Sequence, residues 1–380
     1  MKKRILKYIF VVVLLFAVTI PVLPQSFKFA VMSDSRGKYN GVNEPVLSAL
    51  VEHLLQNHND IKFLIFPGDM VDGSRTDPDR TVFELLSWKK VMEPVYKHPN
   101  LIEPKVWVTV GNHEVQHYKD EENFRKVFPD MPQNGPEDEL GLTYYFEHDN
   151  VRFIVLNSDR WYYGDPEDTT DDRRDWHYIK HLDWVEKVLK EGKEKENKHT
   201  FVISHEMPFP VGGHLRDGLP NLGMNLTLPL DSTRQWYLNQ RDMFWKLLVD
   251  YNVPAYFCGH EHLYSRQSVD GVFQIITGSA GAPVYYFNSK YGDNPEVKKR
   301  GQELTYDEAL PYYKVLNYNY GPDGNAQASD DFVGIRAFHY SIVEVDGDKI
   351  NVLTFGVPPK EGTMNEMEGE ITLIDSFDVR

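Results

Sequence analysis

Five times along this chain an apolar run stops on a turn that carries carboxylate, amide or imidazole groups. Phe27 to Met32 gives way to Ser33-Asp34-Ser35-Arg36-Gly37, and Ile61 to Phe66 stops at Pro67-Gly68-Asp69. Lys105 to Val110 leads into Gly111-Asn112-His113-Glu114, Phe201 to Ser204 into His205, and Ala255 to Cys258 into Gly259-His260-Glu261-His262. Short apolar runs bounded by turns read as strands, and a continuous one such as Ile61 to Phe66 as a strand buried on both faces. Between the runs lie helical patterns. Val46, Leu47, Leu50, Val51 and Leu54 form one; others span Phe83 to Val95, about Trp176 to Leu189, and Trp236 to Val249. Strand–helix–strand order implies parallel strands with helices on the faces, hence an α/β fold class. It also gathers the carboxyl ends of the strands, where ligands bind, along one edge.

The rest of the chain adds antiparallel pairs. Tyr144 to Glu147 and Val151 to Leu156 form a hairpin pattern through Asp149-Asn150, and further turns are expected at Asp270-Gly271 and Asp346-Gly347. The stretch Tyr285 to Tyr320 reads as loop, with tyrosines that either pack an irregular lobe or wall a substrate cleft. With no short-period repeat and no Ser/Pro/Gly linker, residues 26–380 read as one domain with a tyrosine-rich lobe at about 284–330.

The first 25 residues are a separate object. Lys2, Lys3, Arg4 and Lys7 precede an apolar run from Tyr8 to Ile20, and Pro21 and Pro24 follow it. This is the pattern of a secretory signal peptide, cleaved near Gln25 or retained as an anchor, and it implies export to a periplasmic or extracellular space. Removing those four basic residues takes the net charge from −16 to −20. So negative a chain repels a phosphate backbone, which argues against nucleic-acid binding; the membrane is met only through the N-terminal segment. The single cysteine, Cys258, excludes an intrachain disulfide and reads as buried and inert.

A mixture of carboxylate, amide oxygen and neutral imidazole suits Zn, Mn or Fe better than Ca. Six or seven such donors exceed what one ion with an open position needs. They suit two ions that share a carboxylate. Each segment alone is weak evidence; the ordered set is strong. His177 and His181 have i, i+4 spacing but lack a third donor, and His214 reads as an exposed loop histidine.

The series Gly68-Asp69, Gly111-Asn112-His113-Glu114, His205 and Gly259-His260-Glu261-His262 resembles the calcineurin-like metallophosphoesterases, from about Phe29 to Gly281. Gly259 to Arg266 and Gly278-Ser279-Ala280-Gly281-Ala282-Pro283 look most like the purple acid phosphatase branch. The resemblance implies two mixed β-sheets packed face to face and flanked by helices, a four-layer sandwich. It implies two divalent or trivalent transition-metal ions, with Asp69 bridging them. Asn112, His205 and His260 complete the second position, and Asp34 and His262 serve the first. His113 stands beside the scissile ester, with Glu114 behind it. The implied activity is hydrolysis of a small phosphate ester by a metal-bound hydroxide, a phosphomonoester first and a phosphodiester or nucleotide next.

The first motif departs from the family. Where the superfamily has Asp-x-His, this chain has Asp34-Ser35-Arg36, and a guanidinium has no lone pair for a metal. The purple branch replaces that histidine with a tyrosine three residues after the bridging aspartate; here that position is Asp72. Asp72 or a water then fills the vacancy, or Asp72 merely caps a turn. Arg36 either clamps a phosphate oxygen or forms a surface ion pair. A fold-sharing binding protein with a degraded first site is the competing class.

Overall fold

The computed structural model describes residues 26–160, 176–212, 218–219, 230–285, 287, 319–320, 325–329 and 332–380. The expected leader through residue 25, His214 and most of the tyrosine-rich lobe lie outside the described residues.

Strands β1 (Phe27–Val31), β2 (Ile61–Phe66) and β3 (Val106–Val108) run parallel, as their order along the chain requires. Helix α1 (Glu44–Asn57) joins the first two and buries the stripe Val46, Leu47, Leu50, Val51 and Leu54. Helix α2 (Pro78–Val91) and the single turn α3 (Glu93–Tyr96) lead to β3, and α4 (Asp120–Val127) follows it. The α2 helix starts five residues before the expected Phe83. Asp77 accepts from the N–H groups of Asp79 and Arg80, and Pro78 takes the first helical turn, where its missing N–H does no harm.

β4 (Tyr144–His148) and β5 (Val151–Val155) form the expected hairpin. The helix expected from about Trp176 begins later. Trp176 and His177 form β7, paired with β6 (Asp159–Arg160), and α5 spans Leu182–Glu194. His177 and His181 therefore do not share a helical face; His181 lies 2.8 Å from Asp138. Then come β8 (His199–Ile203), α6 (Leu230–Asp250), β9 (Ala255–Cys258) and the hairpin of β10 (Tyr264–Val269) with β11 (Val272–Thr277). Three short strands follow, β12 (Asn319–Tyr320), β13 (Ala326–Ser329) and β14 (Phe332–Ile335). The chain ends on β15 (Phe338–Asp346), β16 (Lys349–Val357) and β17 (Thr372–Asp378).

Two mixed sheets result. One has the order β17-β16-β15-β1-β2-β3, the other β12-β13-β14-β10-β11-β9-β8-β5-β4. They face one another through phenylalanines: Phe29 of β1 meets Phe153 of β5 at 5.1 Å and Phe201 of β8 at 5.3 Å, and Trp107 of β3 stacks on Phe146 of β4 at 3.6 Å. Burying one such ring contributes ~1.5–3 kcal/mol, so the inter-sheet layer holds the fold together. The face-to-face arrangement with flanking helices is the expected one. A polar tie joins the sheets as well: Tyr264 and Arg266 of β10 both donate to Asp375 of β17. Among the described residues no helix is long and apolar enough to cross a membrane.

Candidate metal centre

The backbone bends sharply where the parallel strands end. Asp34, Asp69 and His260 all have positive φ, at 59°, 49° and 66°. A left-handed histidine is uncommon and persists only where its surroundings over-determine it. Here the N–H of His260 donates to both carboxylate oxygens of Asp34 at 3.1 Å, and the preceding Gly259 N–H donates to the His205 carbonyl at 2.9 Å. Two glycines serve close approach. A Cβ on Gly259 would collide with Asp34 and Ser33, and one on Gly111 with Asp69 and the His205 ring.

These turns assemble two adjoining groups of buried donors, Asp69 with His205 and His260, and Asp34 with Asp69 and His262. Within each, the ligating atoms lie within 4.8 Å of one another. His205 Nε2 is 3.4 Å from Asp69 Oδ1, and His262 Nε2 is 3.5 Å from Asp34 Oδ1. On the far side of each ring, Nδ1 faces a carbonyl: Pro67 for His205 at 2.8 Å and Pro283 for His262 at 3.0 Å. A ring that donates through Nδ1 presents the Nε2 lone pair inward, the tautomer a metal requires. Asn112 is buried beside them, and its Oδ1 makes no hydrogen bond; nor does His205 Nε2.

Electrostatically the site holds more buried carboxylate than fixed positive charge, with Arg36 Nε 3.7 Å from Asp69 as its permanent cation. Asp34, Asp69, Glu114, Asp159, Glu206 and Glu261 are all buried. Burial, with Asp69 adding repulsion against the attraction of His205, pushes Asp34 up to about 8. Burial opposes the His205 imidazolium, yet Asp69, Asp34, Asp159 and Glu206 outweigh it and hold its pKa at about 10. Protons thus take up charge that a cation would neutralise. Two buried atoms without a hydrogen bond, Asn112 Oδ1 and His205 Nε2, an excess of buried carboxylate and a carboxylate–amide–imidazole donor set fit transition-metal ions.

Around this centre stand side chains of several kinds. His113 donates its N–H to Asp69 Oδ1 at 3.0 Å, its Nδ1 meets the Asp72 carbonyl at 2.5 Å, and its Nε2 lies 4.0 Å from Asp69. Burial and then Arg36 lower its pKa. Glu114 is not behind His113 but beneath the turns: its carboxylate accepts from the N–H groups of Asp69, Gly111 and Val71. Arg36 turns inward, with Nε 3.7 Å from Asp69 Oδ2 and a terminal nitrogen 3.5 Å from the Tyr285 hydroxyl. Asp72 stands outside both donor groups; it is bracketed by Arg36 at 3.8 Å and Arg80 at 3.6 Å. Tyr264 and Arg266, the features that resemble the purple branch, are engaged with Asp375.

Three further residues belong to the site without a role assigned to them from the sequence, although Glu261 lies within the last motif and Tyr285 opens the tyrosine-rich stretch. Glu206 sits 3.3 Å from His260 Nδ1, Glu261 accepts from the N–H groups of Val211 and Gly212, and Tyr285 stacks on His262 at 4.3 Å. For Glu206 and Glu261, adjacency to His205 and His260 was the available clue. Cys258 is buried, and burial pushes its thiol well up, in keeping with an inert side chain.

No curated protein matches this sequence. Among solved structures, a purple acid phosphatase from yellow lupin (Lupinus luteus) seeds superposes with a TM-score of 0.55 at 13% identity, covering 93% of this chain. The chain spans 53% of that enzyme's length. The structure of PhoD matches with a TM-score of 0.55 at 11% identity, over 93% of this chain and 69% of its own. A dimetal phosphatase from Danio rerio matches at 0.52 and 11% identity, over 93% of this chain and 98% of its own. At such identities the likeness is one of fold. The sequence model of the calcineurin-like phosphoesterases matches residues 27–264, well over half of the chain, and this protein belongs to that family.

Proposed function

We propose that this chain is an exported metal-dependent phosphoesterase that hydrolyses a small phosphomonoester at two transition-metal ions. The observation that carries this reading is the meeting of five buried donors, Asp34, Asp69, His205, His260 and His262, from four strand ends in two groups that share Asp69. Asp69, Asn112, His205 and His260 would hold one ion, and Asp34, Asp69 and His262 the other. Bound there, the ions supply charge neutralisation for a phosphoryl group and activation of a water.

The chain's own residues do the rest. Arg36 presents a guanidinium beside Asp69 and binds a phosphoryl oxygen. His113, fixed through Nδ1 on the Asp72 carbonyl, turns Nε2 toward the site and moves a proton to the departing oxygen. Burial and Arg36 lower the pKa of this imidazole, and a substrate's own negative charge acts against both. Glu114 holds the turns that carry Asp69 and Asn112. The basic, apolar start of the sequence supports export, with membrane contact confined to that segment.

A competing reading is a binding protein on the same fold, and the arginine at position 36 favours it. Metal content of the purified chain, together with hydrolysis of a chromogenic phosphomonoester and phosphodiester with and without chelator, separates the two. Turnover of the monoester, lost with chelator and restored by Mn2+ or Zn2+, is the expected result; a faster diester would move the substrate class, and no turnover at any metal loading would leave the binding protein.

A further inference from the structure

The two donor groups are not equivalent, and the difference lies at Arg36. Beside the group of Asp69, His205 and His260, Asn112 follows Gly111, which packs against Asp69 and the His205 ring, and Asn112 Oδ1 and His205 Nε2 are both buried without a hydrogen bond. The group around Asp34, Asp69 and His262 has three protein donors, and both oxygens of Asp34 already accept from the His260 N–H. Against this second group stands a permanent cation. Arg36 Nε lies 3.7 Å from Asp69 Oδ2, its side chain is only 20% exposed, and Tyr285 holds its terminal nitrogen while stacking on His262. Asp72 tethers the same guanidinium at 3.8 Å and is itself shared with Arg80. A unit charge a few ångströms from an incoming ion, with little water between, opposes its entry strongly.

We propose that the two cation positions are unequal: the Asp69–Asn112–His205–His260 position binds its ion tightly, whereas the Asp34–Asp69–His262 position binds weakly because the Arg36 guanidinium, held on the His262 side by Tyr285, stands against it. This rests on the metal-dependent reading above. The arginine then supplies, as a fixed part of the chain, positive charge that a second ion would otherwise bring.

The test is equilibrium dialysis of the metal-stripped full chain against graded Mn2+, with bound metal counted by elemental analysis and its spin state followed by electron paramagnetic resonance. One ion per chain binds first and gives the signal of an isolated Mn2+; a second, spin-coupled to it, enters at concentrations at least about tenfold higher. In Arg36→Met, which removes the charge and adds no hard donor, the gap narrows and the coupled signal appears earlier. Arg36→His, which also adds a donor, narrows it further. Equal affinities in the native chain, or a gap unchanged in both variants, would overturn the inequality while leaving the phosphoesterase reading intact. A chain that holds no Mn2+ at all would defeat both.

Discussion

A histidine ring has two nitrogens, and in this site the carbonyls of the neighbouring turns decide which of them faces inward. Pro67, Pro283 and the Asp72 carbonyl take the Nδ1 side of His205, His262 and His113. For His113 the proposed role as proton donor can be tested at this scale. On that proposal His113→Ala should lower kcat by about 10²–10⁴-fold with bound metal unchanged, because the ring would donate a proton and hold no ion; metal analysis beside steady-state kinetics checks both halves. Away from the site, burial pushes the Glu139 carboxyl up to about 7 despite its hydrogen bond from Thr143. The folded pKa lies above the ordinary value of 4.5, so its contribution is whole below that pH and is lost as pH rises through about 7. Glu139→Gln keeps an acceptor for Thr143 and never ionises. Its stability relative to the native chain should climb between pH 5 and pH 8 by about 3 kcal/mol at most. Urea unfolding at the two pH values measures this, and a difference that does not change with pH would count against it. At this scale the donor types were legible in the sequence, since each follows its strand directly. Tyr285 was not, because its partner Arg36 lies 249 positions away.

The elements that matter most are the turns after β1, β2, β3 and β9. Left-handed backbone at Asp34, Asp69 and His260 aims side chains that a plain strand end would direct elsewhere. One carboxylate stabilises two of these turns at once: Glu114 accepts from Asp69, Val71 and Gly111 at 2.7, 3.1 and 2.8 Å. Glu114→Gln would set an amide donor against at least one of these N–H groups. It should lower stability by about 2–4 kcal/mol and weaken metal retention, read from denaturant midpoints and dialysis. Apolar periodicity located the parallel strands, the hairpins and α1 well. It misplaced the starts of α2 and α5, where capping at Asp77 and strand pairing by Trp176 and His177 set the boundary instead of hydrophobic spacing.

Across the whole molecule, the two sheets meet at the metal centre as well as in the aromatic layer. Asp34, Asp69 and Asn112 follow strands of the six-stranded sheet, whereas His205, His260 and His262 follow strands of the nine-stranded one. An ion held by both ties the sheets together, and a ligand bound only by the folded state stabilises it by ~2.7 kcal/mol at a hundredfold excess over its Kd. Calorimetry should therefore show the metal-loaded chain melting about 3–4 °C above the chelated one; coincident transitions would mean that the donors hold no ion. Strand and helix order, the donor types and their place at strand ends could be read from the amino-acid order, because each depends on neighbours within a few residues. That Arg36 turns inward onto Asp69, that Tyr285 stacks on His262, and that Asp72 pairs with two arginines outside the donor groups came from the folded arrangement alone. Those outcomes depend on which distant segments the stacked sheets bring within a few ångströms. Local periodicity carries no record of such distances.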